Sequence, residues 1–518
     1  MARRVSPKLL RNLPYVINNT VSKKASKNPI FNNTSHFENH QHFNRFLNSS
    51  PSSLTAVTTP LNLTHPIHEK PISNTSSLSL DDVERLFSSV STTQLVRSLV
   101  NLHFASIDPI VDLGIWVMRS RLIETPICKE IIIATVKHTF YEHFCAGENL
   151  IEASKTLQKL WDDGLRGILD YGLEDAIDNK TCDRNLNEFL KAVESTKMLP
   201  PSSVSYACVK ITAICPISLL KRVSDLLRWE YKNPSYKLPW KMDTLPILAD
   251  SSPFYHTLEK PEPLTPQEEE DLQQAHQRLL KLSEKCFDLN LPLLVDAEYT
   301  SVQPAIDYLT YSTMIKFNKY SNPIVYGTVQ TYLKDAKERT IQATEAAEKM
   351  GITVGLKLVR GAYLSSESQL ASSLGYASPI HGSIQETHAC YNECATFMIE
   401  KVSTGTGAVV LATHNLESGK VAAAKAQALG IGKGNPKLQF AQLKGMAEGL
   451  SFGLRNAGFQ VSKYLPYGPV EMVIPYLLRR AEENRGLLSA STMDRVLMRK
   501  ELVRRLKAAI WGGDLDKM

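Results

Sequence analysis

The feature that most restricts the fold of this chain is a repeated alternation of short apolar runs and longer amphipathic segments. Each of eight runs is rich in Val, Ile and aromatic residues and is followed by a helix candidate. Parallel β/α units show this alternation, and eight strands are the number that closes a (βα)8 barrel. An open doubly wound sheet is less favoured, because no G-x-G-x-x-G follows the first run. The predicted strands lie at 165–171, 204–214, 291–299, 324–332, 354–363, 408–415, 438–446 and 462–468.

The sequence before the barrel has two parts that differ in composition. Residues 1–37 contain seven Lys or Arg and no Asp or Glu, among many Ser, Thr and Asn. This composition is typical of an organelle transit peptide, although a disordered basic tail has it too, and mitochondrion and plastid are not distinguished. We predict a transit peptide and disordered lead over 1–79, followed by a helical segment over 80–160.

The barrel is predicted over 161–488, with one interruption and one terminal helix. Residues 228–266 are rich in Pro and have no clean periodicity, so we interpret them as an insertion. Residues 489–518 are predicted to form a basic helix. In its stretch 494–511, Val496, Leu502, Val503, Leu506 and Ile510 fall near one face, and six basic residues lie elsewhere. A packed terminal helix is the favoured interpretation, and docking on a membrane surface is the alternative.

Overall composition excludes several classes of protein. Hydrophobic residues make up 43% and charged residues 22%, as in soluble globular proteins, and the net charge of +6 gives little indication of nucleic-acid binding. The eight cysteines form no C-x-x-C pair, so neither a metal site nor a disulfide framework is predicted. Cys390 and Cys394 are interpreted as core residues. No apolar stretch is long enough for a membrane-spanning helix.

Polar residues in or at the end of six apolar runs indicate a site. Catalytic groups of barrel enzymes lie at the carboxyl ends of the strands, so these positions are candidates. One charged residue near a strand end is more often half of a structural ion pair, but six strands together favour a common site. The candidates are Lys210, Asp296, Glu298, Gln330, Lys357, Arg360, Thr413, His414, Asn415 and Gln442.

The segment YLPYGPVEMVIPYLLRRAEEN, residues 464–484, contains the sharpest local pattern. A helix is predicted to begin near Val470, which puts Tyr476, Arg479, Arg480 and Glu483 at i, i+3, i+4 and i+7 on one face. Two guanidinium groups suit a carboxylate ligand, because they bind both oxygens and stay charged. Taken alone, the segment is better explained by a solvated helix face.

Seven motifs in order give the sequence a family resemblance. They are HTFYEHFCAGE, CVKITAI, LVDAE, LKLVRGAYL, LATHN, QLKGM and YLPYGPVEMVIPYLLRRAEEN, spread over residues 138–484. In these motifs the chain resembles the proline dehydrogenases. The resemblance implies a distorted (βα)8 barrel of TIM type that binds FAD noncovalently. It also implies oxidation of L-proline to Δ1-pyrroline-5-carboxylate, with electrons passing to ubiquinone on the matrix side of the mitochondrial inner membrane. Peripheral membrane contact is held as a hypothesis.

The resemblance also implies roles for individual residues. Arg479, Arg480 and Lys210 would bind the proline carboxylate, and Asp296 would line the pocket and orient Lys210 and Arg479. Tyr363, Tyr464, Tyr476 and Leu477 or Leu478 would contact the ring. Lys357 stands where bacterial relatives carry arginine, which places a point charge beside the flavin. The flavin contacts would be Gln330, Lys357, Val359, Arg360, Gly361, Ala362, Thr413, His414, Asn415, Gln442 and Glu483.

Three alternative functions remain open from the sequence. A hydroxyproline dehydrogenase is the nearest, because crowding by Tyr464 would discriminate against the 4-hydroxyl by only about 100-fold. A non-catalytic barrel regulator is the second. A lyase that forms a Schiff base through Lys357 is the third, and no separate feature favours it.

Overall fold

Within the described part of the chain, eight parallel strands close into a barrel. The computed structural model describes residues 78–120, 125–248, 256–486 and 488–511, without the side chains at 119, 482–486, 488–490 and 511. Each strand pairs with the next, and the last pairs with the first. The predicted barrel is therefore confirmed, whereas residues 1–77 of the predicted transit peptide lie outside the described residues. The strands are β1 Arg166–Tyr171, β2 Val204–Val209, β3 Leu293–Val295, β4 Val325–Gln330, β5 Val354–Val359, β6 Gly407–Ala412, β7 Leu438–Leu443 and β8 Val461–Tyr467.

Side chains fill the inside of the barrel. Tyr206 of β2 and Tyr326 of β4 meet edge to face there, with ring centroids 5.2 Å apart. Gly355 of β5 makes room for this packing, because a Cβ at that position would lie 2.8 Å from the ring of Tyr326. A second apolar layer lies between the strands and the surrounding helices. The barrel is thus a packed core, which leaves its carboxyl end for a site.

The segment before the barrel is helical, as predicted, and the barrel strands alternate with helices. A π-helical turn over Lys137–Tyr141 continues the fourth helix. The first helices are α1 Val83–Leu86, α2 Thr92–Phe104, α3 Asp108–Arg119, α4 Pro126–Val136, α5 Glu142–Phe144 and α6 Leu150–Asp162. Those of the barrel are α7 Asn179–Ser195, α8 Ile211–Ile214, α9 Ile217–Lys232, α10 Pro266–Asp288, α11 Gln303–Phe317, α12 Ala336–Lys349, α13 Leu364–Leu374, α14 Ile384–Thr404, α15 Leu416–Ala428, α16 Glu448–Asn456 and α17 Val470–Gly486.

The predicted insertion packs against the barrel in its described part. Helix α9 extends to Lys232, so Arg228 is a helical residue rather than the start of an irregular segment. Its buried guanidinium donates to the carbonyl oxygens of Thr300 at 3.0 Å and Ser301 at 2.6 Å, in the loop after β3. Residues 249–255 lie outside the described residues. Helix α10 begins with the capping box of Thr265 and Glu268 that its sequence favours.

The last helix, α18, spans Leu488–Trp511 and packs against α2. Its Asp494 accepts hydrogen bonds from the first backbone N–H groups of α16, at 3.0 Å from Glu448 and 2.9 Å from Gly449. Arg495 donates to Ser106 at 2.7 Å and thereby holds the helix to the end of α2. A packed terminal helix is what the sequence favoured. None of the helices in the described ranges has both the length and the apolarity required to cross a membrane.

Candidate active site

Four charged side chains and one phenol meet at the carboxyl end of the barrel. Lys210, which follows β2, has its Nζ 3.3 Å from the Oδ2 of Asp170 on β1 and 3.4 Å from the Oδ2 of Asp296 after β3. Lys357 of β5 binds the other oxygen of Asp296. The Tyr464 hydroxyl of β8 donates to the Oδ2 of Asp296 at 2.8 Å. Five separate strands therefore converge on one buried network of two lysines, two carboxyl groups and one phenol.

The charges of this network support one another. Burial alone would raise the pKa of Asp296, but Lys357 and Lys210 outweigh it and hold this pKa well below its ordinary value. Burial opposes the charge of Lys210, yet Asp170 and Asp296 raise its pKa well above the usual range. The pKa of Tyr464 is raised by its burial and by the two carboxylates. The site accordingly holds an ionised Asp296, protonated lysines and a neutral phenol.

The same centre has the ligand atoms of a metal site but not its charge. Asp170, Cys208 and Asp296 each place one donor atom within 4.8 Å of the others. Both carboxylates are already bonded to ammonium groups. Burial also raises the pKa of the Cys208 thiol, and a metal would need the thiolate. The donor set fits an ion-pair network better than a cation.

Arg479 on α17 is held by a carboxylate that the sequence did not predict. Its Nη1 and Nη2 donate to the two oxygens of Glu174, at 2.9 and 3.0 Å, and its guanidinium lies 5.8 Å from the ring centre of Tyr363. The expectation that Asp296 orients Arg479 is therefore wrong. Glu174, in the loop after β1, is the carboxylate that faces α17. Asp296 instead binds Lys210, Lys357 and Tyr464.

Arg480 follows Arg479 on α17 and lies against a different aromatic ring. Its guanidinium lies 5.1 Å from the ring centre of Tyr476, four residues earlier, and both side chains are buried. Leu477 is buried beside them, in an apolar cluster that includes Val473 and Tyr141. Tyr476 and Arg480 thus share a face, as the spacing predicted. Glu483 belongs to α17 by its backbone, and its side chain lies outside the described residues.

A second cluster of predicted residues surrounds Arg360, just after β5. Its guanidinium donates to His388 Nδ1 at 3.0 Å, Thr413 Oγ1 at 2.6 Å and Ser418 Oγ at 2.8 Å. Among the described residues these acceptors are all neutral, so they orient the cation without cancelling its charge. Asn415 caps α15 by accepting from the Ser418 N–H at 2.8 Å. A helix N-terminus beside an arginine is a favourable position for a phosphate group.

The chain comes unusually close to its neighbours at Gly361. Its φ of +141° is rarely adopted by other residues, and a Cβ there would lie 2.5 Å from the ring of Tyr332. The next backbone N–H, of Ala362, donates to Gln330 Oε1 at 3.4 Å, and Gln330 in turn donates to the Glu298 carbonyl at 2.9 Å. These polar groups line the ends of β3, β4 and β5.

The remaining predicted cofactor residues lie at the ends of β5, β6 and β7. The carbonyl of Val359 accepts from the Thr331 N–H at 2.8 Å. His414 accepts from the Leu443 N–H at 3.1 Å, and burial lowers its pKa to about 3, so the ring is neutral. Gln442 donates to the Thr413 carbonyl at 3.3 Å. A neutral imidazole, amides, a hydroxyl and two cations suit the polar ring edge and phosphates of a flavin dinucleotide, so the donor set fits FAD.

Sequence reasoning missed several residues of the site. Asp170 ends the first apolar run, so the criterion that selected Lys210 would have selected it as well. His388 and Ser418, which orient Arg360, lie on helices with many polar residues and give no signal. Glu174 lies in a loop without periodicity. Its role depends on the position of α17, which is a tertiary property.

Comparison with known proteins identifies the family of this chain. The family model described as "Proline dehydrogenase" matches residues 153–493, which include the whole site. The chain belongs to the proline dehydrogenase family. The resemblance found in the seven motifs is thus confirmed.

Relatives within the proline dehydrogenase family match most of the chain. "Proline dehydrogenase 2, mitochondrial" of Arabidopsis thaliana is 55% identical over 434 residues, 83% of this chain and 91% of the relative. "Hydroxyproline dehydrogenase" of Bos taurus is 32% identical over 432 residues, 80% and 91% of the two chains. Among solved structures, proline utilization A from Bdellovibrio bacteriovorus superposes with a TM-score of 0.54 at 19% identity. That match covers 77% of this chain but only 38% of the solved one, and it supports the fold alone.

Proposed function

We propose that this chain oxidises L-proline to Δ1-pyrroline-5-carboxylate with bound FAD, the first step of proline catabolism. The observation that carries the proposal is the position of Glu174. Its carboxylate is held by both arms of Arg479 and also interacts electrostatically with Lys210. Arg479 therefore already holds one carboxylate, with the charge of Lys210 acting on it, in the way that a substrate carboxylate would be held.

The other predicted substrate residues support this arrangement. Arg480 would supply a second guanidinium for the carboxylate, while Tyr363, Tyr464 and Tyr476 would contact the ring. Asp296 fixes the Tyr464 hydroxyl and so holds this aromatic wall in one orientation. Positioning of this kind contributes roughly 7–11 kcal/mol to lowering a reaction barrier. The protein would thus act mainly by orientation.

Bound FAD would accept the electron pair and the hydrogen that leave the proline ring. Arg360 and the N-terminus of α15, capped by Asn415, suit the phosphates. The backbone at Gly361 and Ala362 allows close approach, and Lys357 adds a point charge next to Asp296. Together with Glu483, the remaining proposed contacts are Gln330, Val359, Thr413, His414 and Gln442.

We place the enzyme in the mitochondrion, on the matrix side of the inner membrane, with ubiquinone as the electron acceptor. The two Arabidopsis relatives are named as mitochondrial, and residues 1–37 have the basic composition expected for import. Quinone reduction requires contact with the bilayer, so peripheral attachment belongs to the proposal.

Proline is the preferred substrate in this proposal, and hydroxyproline is the alternative. The phenol of Tyr464 is fixed by Asp296 and lies 3.4 Å from Lys210, which leaves little freedom to accommodate a 4-hydroxyl. Relatives named hydroxyproline dehydrogenase are 31–32% identical to this chain, so hydroxyproline is the specific alternative substrate. The ratio of kcat/KM for the two substrates distinguishes them.

The test replaces Arg479 and Arg480 singly by Lys, with Arg184→Lys at an exposed position of α7 as a matched control. Lysine keeps the positive charge but cannot donate two parallel hydrogen bonds to a carboxylate, as Arg479 does to Glu174. Loss of one charged hydrogen bond costs about 1.5–3 kcal/mol, so proline KM should rise about 10- to 100-fold while flavin absorbance per protein is retained. Unchanged KM in both variants contradicts the carboxylate site. A purified protein that is colourless and does not rebind FAD contradicts the enzyme proposal as a whole.

A further inference from the structure

The solvent-facing side of α18 is an unusual surface. Positions 496, 503 and 510 follow one another at heptad spacing, as do 499 and 506, and 500 and 507, so these residues share one side of the helix. Val496, Val503, Leu506 and Ile510 are 45%, 50%, 60% and 63% exposed. We call this side the outer face; it consists of Val496, Arg499, Lys500, Val503, Leu506, Lys507 and Ile510.

No acidic residue of α18 lies on the outer face. Its two acids, Asp494 and Glu501, are buried on the opposite side. Asp494 caps α16, and Glu501 binds Arg504 and Arg505, neither of which belongs to the outer face. Glu84 of α1 reaches Arg504 at 3.1 Å, which further neutralises that flank. Within the described residues, Arg499, Lys500 and Lys507 form no ion pair, so this part of the structure presents apolar side chains beside basic residues on the outer face.

We propose that the outer face of α18 docks on an anionic lipid surface. Basic residues interleaved with exposed apolar ones are the pattern of a helix that lies in the plane of a membrane interface. The long side chains of Arg499, Lys500 and Lys507 reach headgroups while the apolar row enters the acyl boundary. This inference rests on the proposed function, because an enzyme that reduces ubiquinone must reach the membrane that contains it.

The composition of the outer face disfavours other occupants. A second copy of the chain meeting at this face would bring three basic residues against three basic residues. Nucleic acid would gain little from four apolar side chains among only three basic ones. The opposite side of α18 is occupied by the protein itself, where Leu497 and Met498 are buried in the main core. Docking therefore leaves the fold unchanged.

The experiment measures co-sedimentation of the full-length holoenzyme with vesicles of phosphatidylcholine, with and without phosphatidylglycerol. The basic residues of 1–37 would bind the same vesicles, so all proteins, including the reference called wild type, carry Gln at those seven positions. The test variant is Arg499→Gln/Lys500→Gln/Lys507→Gln. The matched control is Lys180→Gln/Arg184→Gln/Lys281→Gln, which removes three exposed basic residues from α7 and α10. Deletion of α18 is avoided, because it would uncover the core.

Wild type and control are expected to bind the anionic vesicles and to release them at high salt. Each basic residue near an anionic surface strengthens binding roughly fivefold, so the test variant should bind about 100-fold more weakly. A second variant, Val503→Asn/Leu506→Gln, should also lose binding on anionic vesicles. Equal binding by the test variant and the control overturns the proposal. So does a dimer of the wild type that dissociates in the second variant.

A separate readout distinguishes this inference from the proposed function. Proline oxidation with a soluble dye as acceptor should be the same in wild type, control and both outer-face variants. If the wild type fails to oxidise proline yet binds vesicles through the outer face, the proposed function is refuted and the docking remains.

Discussion

The central ion-pair network gives the sharpest prediction about stability. Asp296 uses one oxygen for Lys357 and the other for Lys210 and Tyr464, in a fully buried setting. Replacement of Asp296 by Asn keeps the shape and the acceptor for Tyr464 but removes one negative charge. Two buried lysines then remain with Asp170 as the nearest carboxylate.

The expected destabilisation follows from the distances and the burial. At 3.4 Å and an effective dielectric constant of about 20, the Lys210 pair alone amounts to about 5 kcal/mol of Coulomb energy. Part of this is recovered because the Asn side chain is cheaper to bury. Removal of one partner from a buried ion pair commonly costs about 3–5 kcal/mol, which is the loss that we expect. In Asp296→Asn/Lys357→Met the charges balance again, so its stability should return to within about 1.5 kcal/mol of wild type.

Urea denaturation of the three proteins measures these differences, and pH gives an independent check. In the single variant an uncompensated lysine has a folded pKa below its ordinary 10.5, so the unfolded chain binds more protons. The stability of that variant relative to wild type should therefore recover as pH rises toward 10.5. If the single variant is as stable as wild type, or if Lys357→Met adds to the loss instead of reversing it, the charge-balance reasoning is refuted.

Three further predictions concern other parts of the site. Burial raises the pKa of Glu298 to about 8 from an ordinary 4.5, so the folded state keeps a proton that the unfolded chain releases, and wild-type stability falls over that pH range. Glu298→Gln keeps the contacts to Thr212 and should flatten this fall in stability. The prediction is contradicted if the urea midpoints of the variant and of wild type change in parallel from about pH 5 to about pH 8. Gly361→Ala should lower flavin content and cost about 1–3 kcal/mol, because its Cβ would meet Tyr332 at a φ of +141°; full flavin absorbance in this variant speaks against the close approach. Asn415→Ala should cost about 1 kcal/mol through the lost cap of α15, whereas Asn415→Asp keeps the cap; equal thermal stability of all three proteins excludes this role.

The fold was predictable because the apolar periodicity of this chain is strong. Six predicted runs contain their whole strand, β6 and β8 begin one residue before theirs, and several runs extend beyond the end of the strand. The run at 204–214 includes both β2 and the short helix α8, separated only by Lys210. The run at 291–299 contains a strand of three residues. Residues after these strands are buried by the site, so burial extends the apolar pattern past the sheet, and periodicity cannot mark the boundary.

The site was predictable where its residues are part of a strand end, and not where they depend on packing between distant elements. Lys210, Asp296 and Lys357 stand in apolar runs, and their meeting follows from the closure of the barrel. The partner of Arg479 does not follow from it. Glu174 and Arg479 are 305 residues apart, and the turn after β1 and the path of α17 over the barrel bring them together.

The arrangement at Asp296 also explains why a lysine suits position 357. A carboxylate has two oxygens, and here Oδ1 serves Lys357 while Oδ2 serves Lys210 and Tyr464. An arginine fork would bind both oxygens and compete with Lys210 and Tyr464 for Oδ2. A point charge leaves the second oxygen to the two groups proposed to contact the substrate. In the proposed function, Lys357 would therefore leave Oδ2 of Asp296 to hold Lys210 and Tyr464 in place.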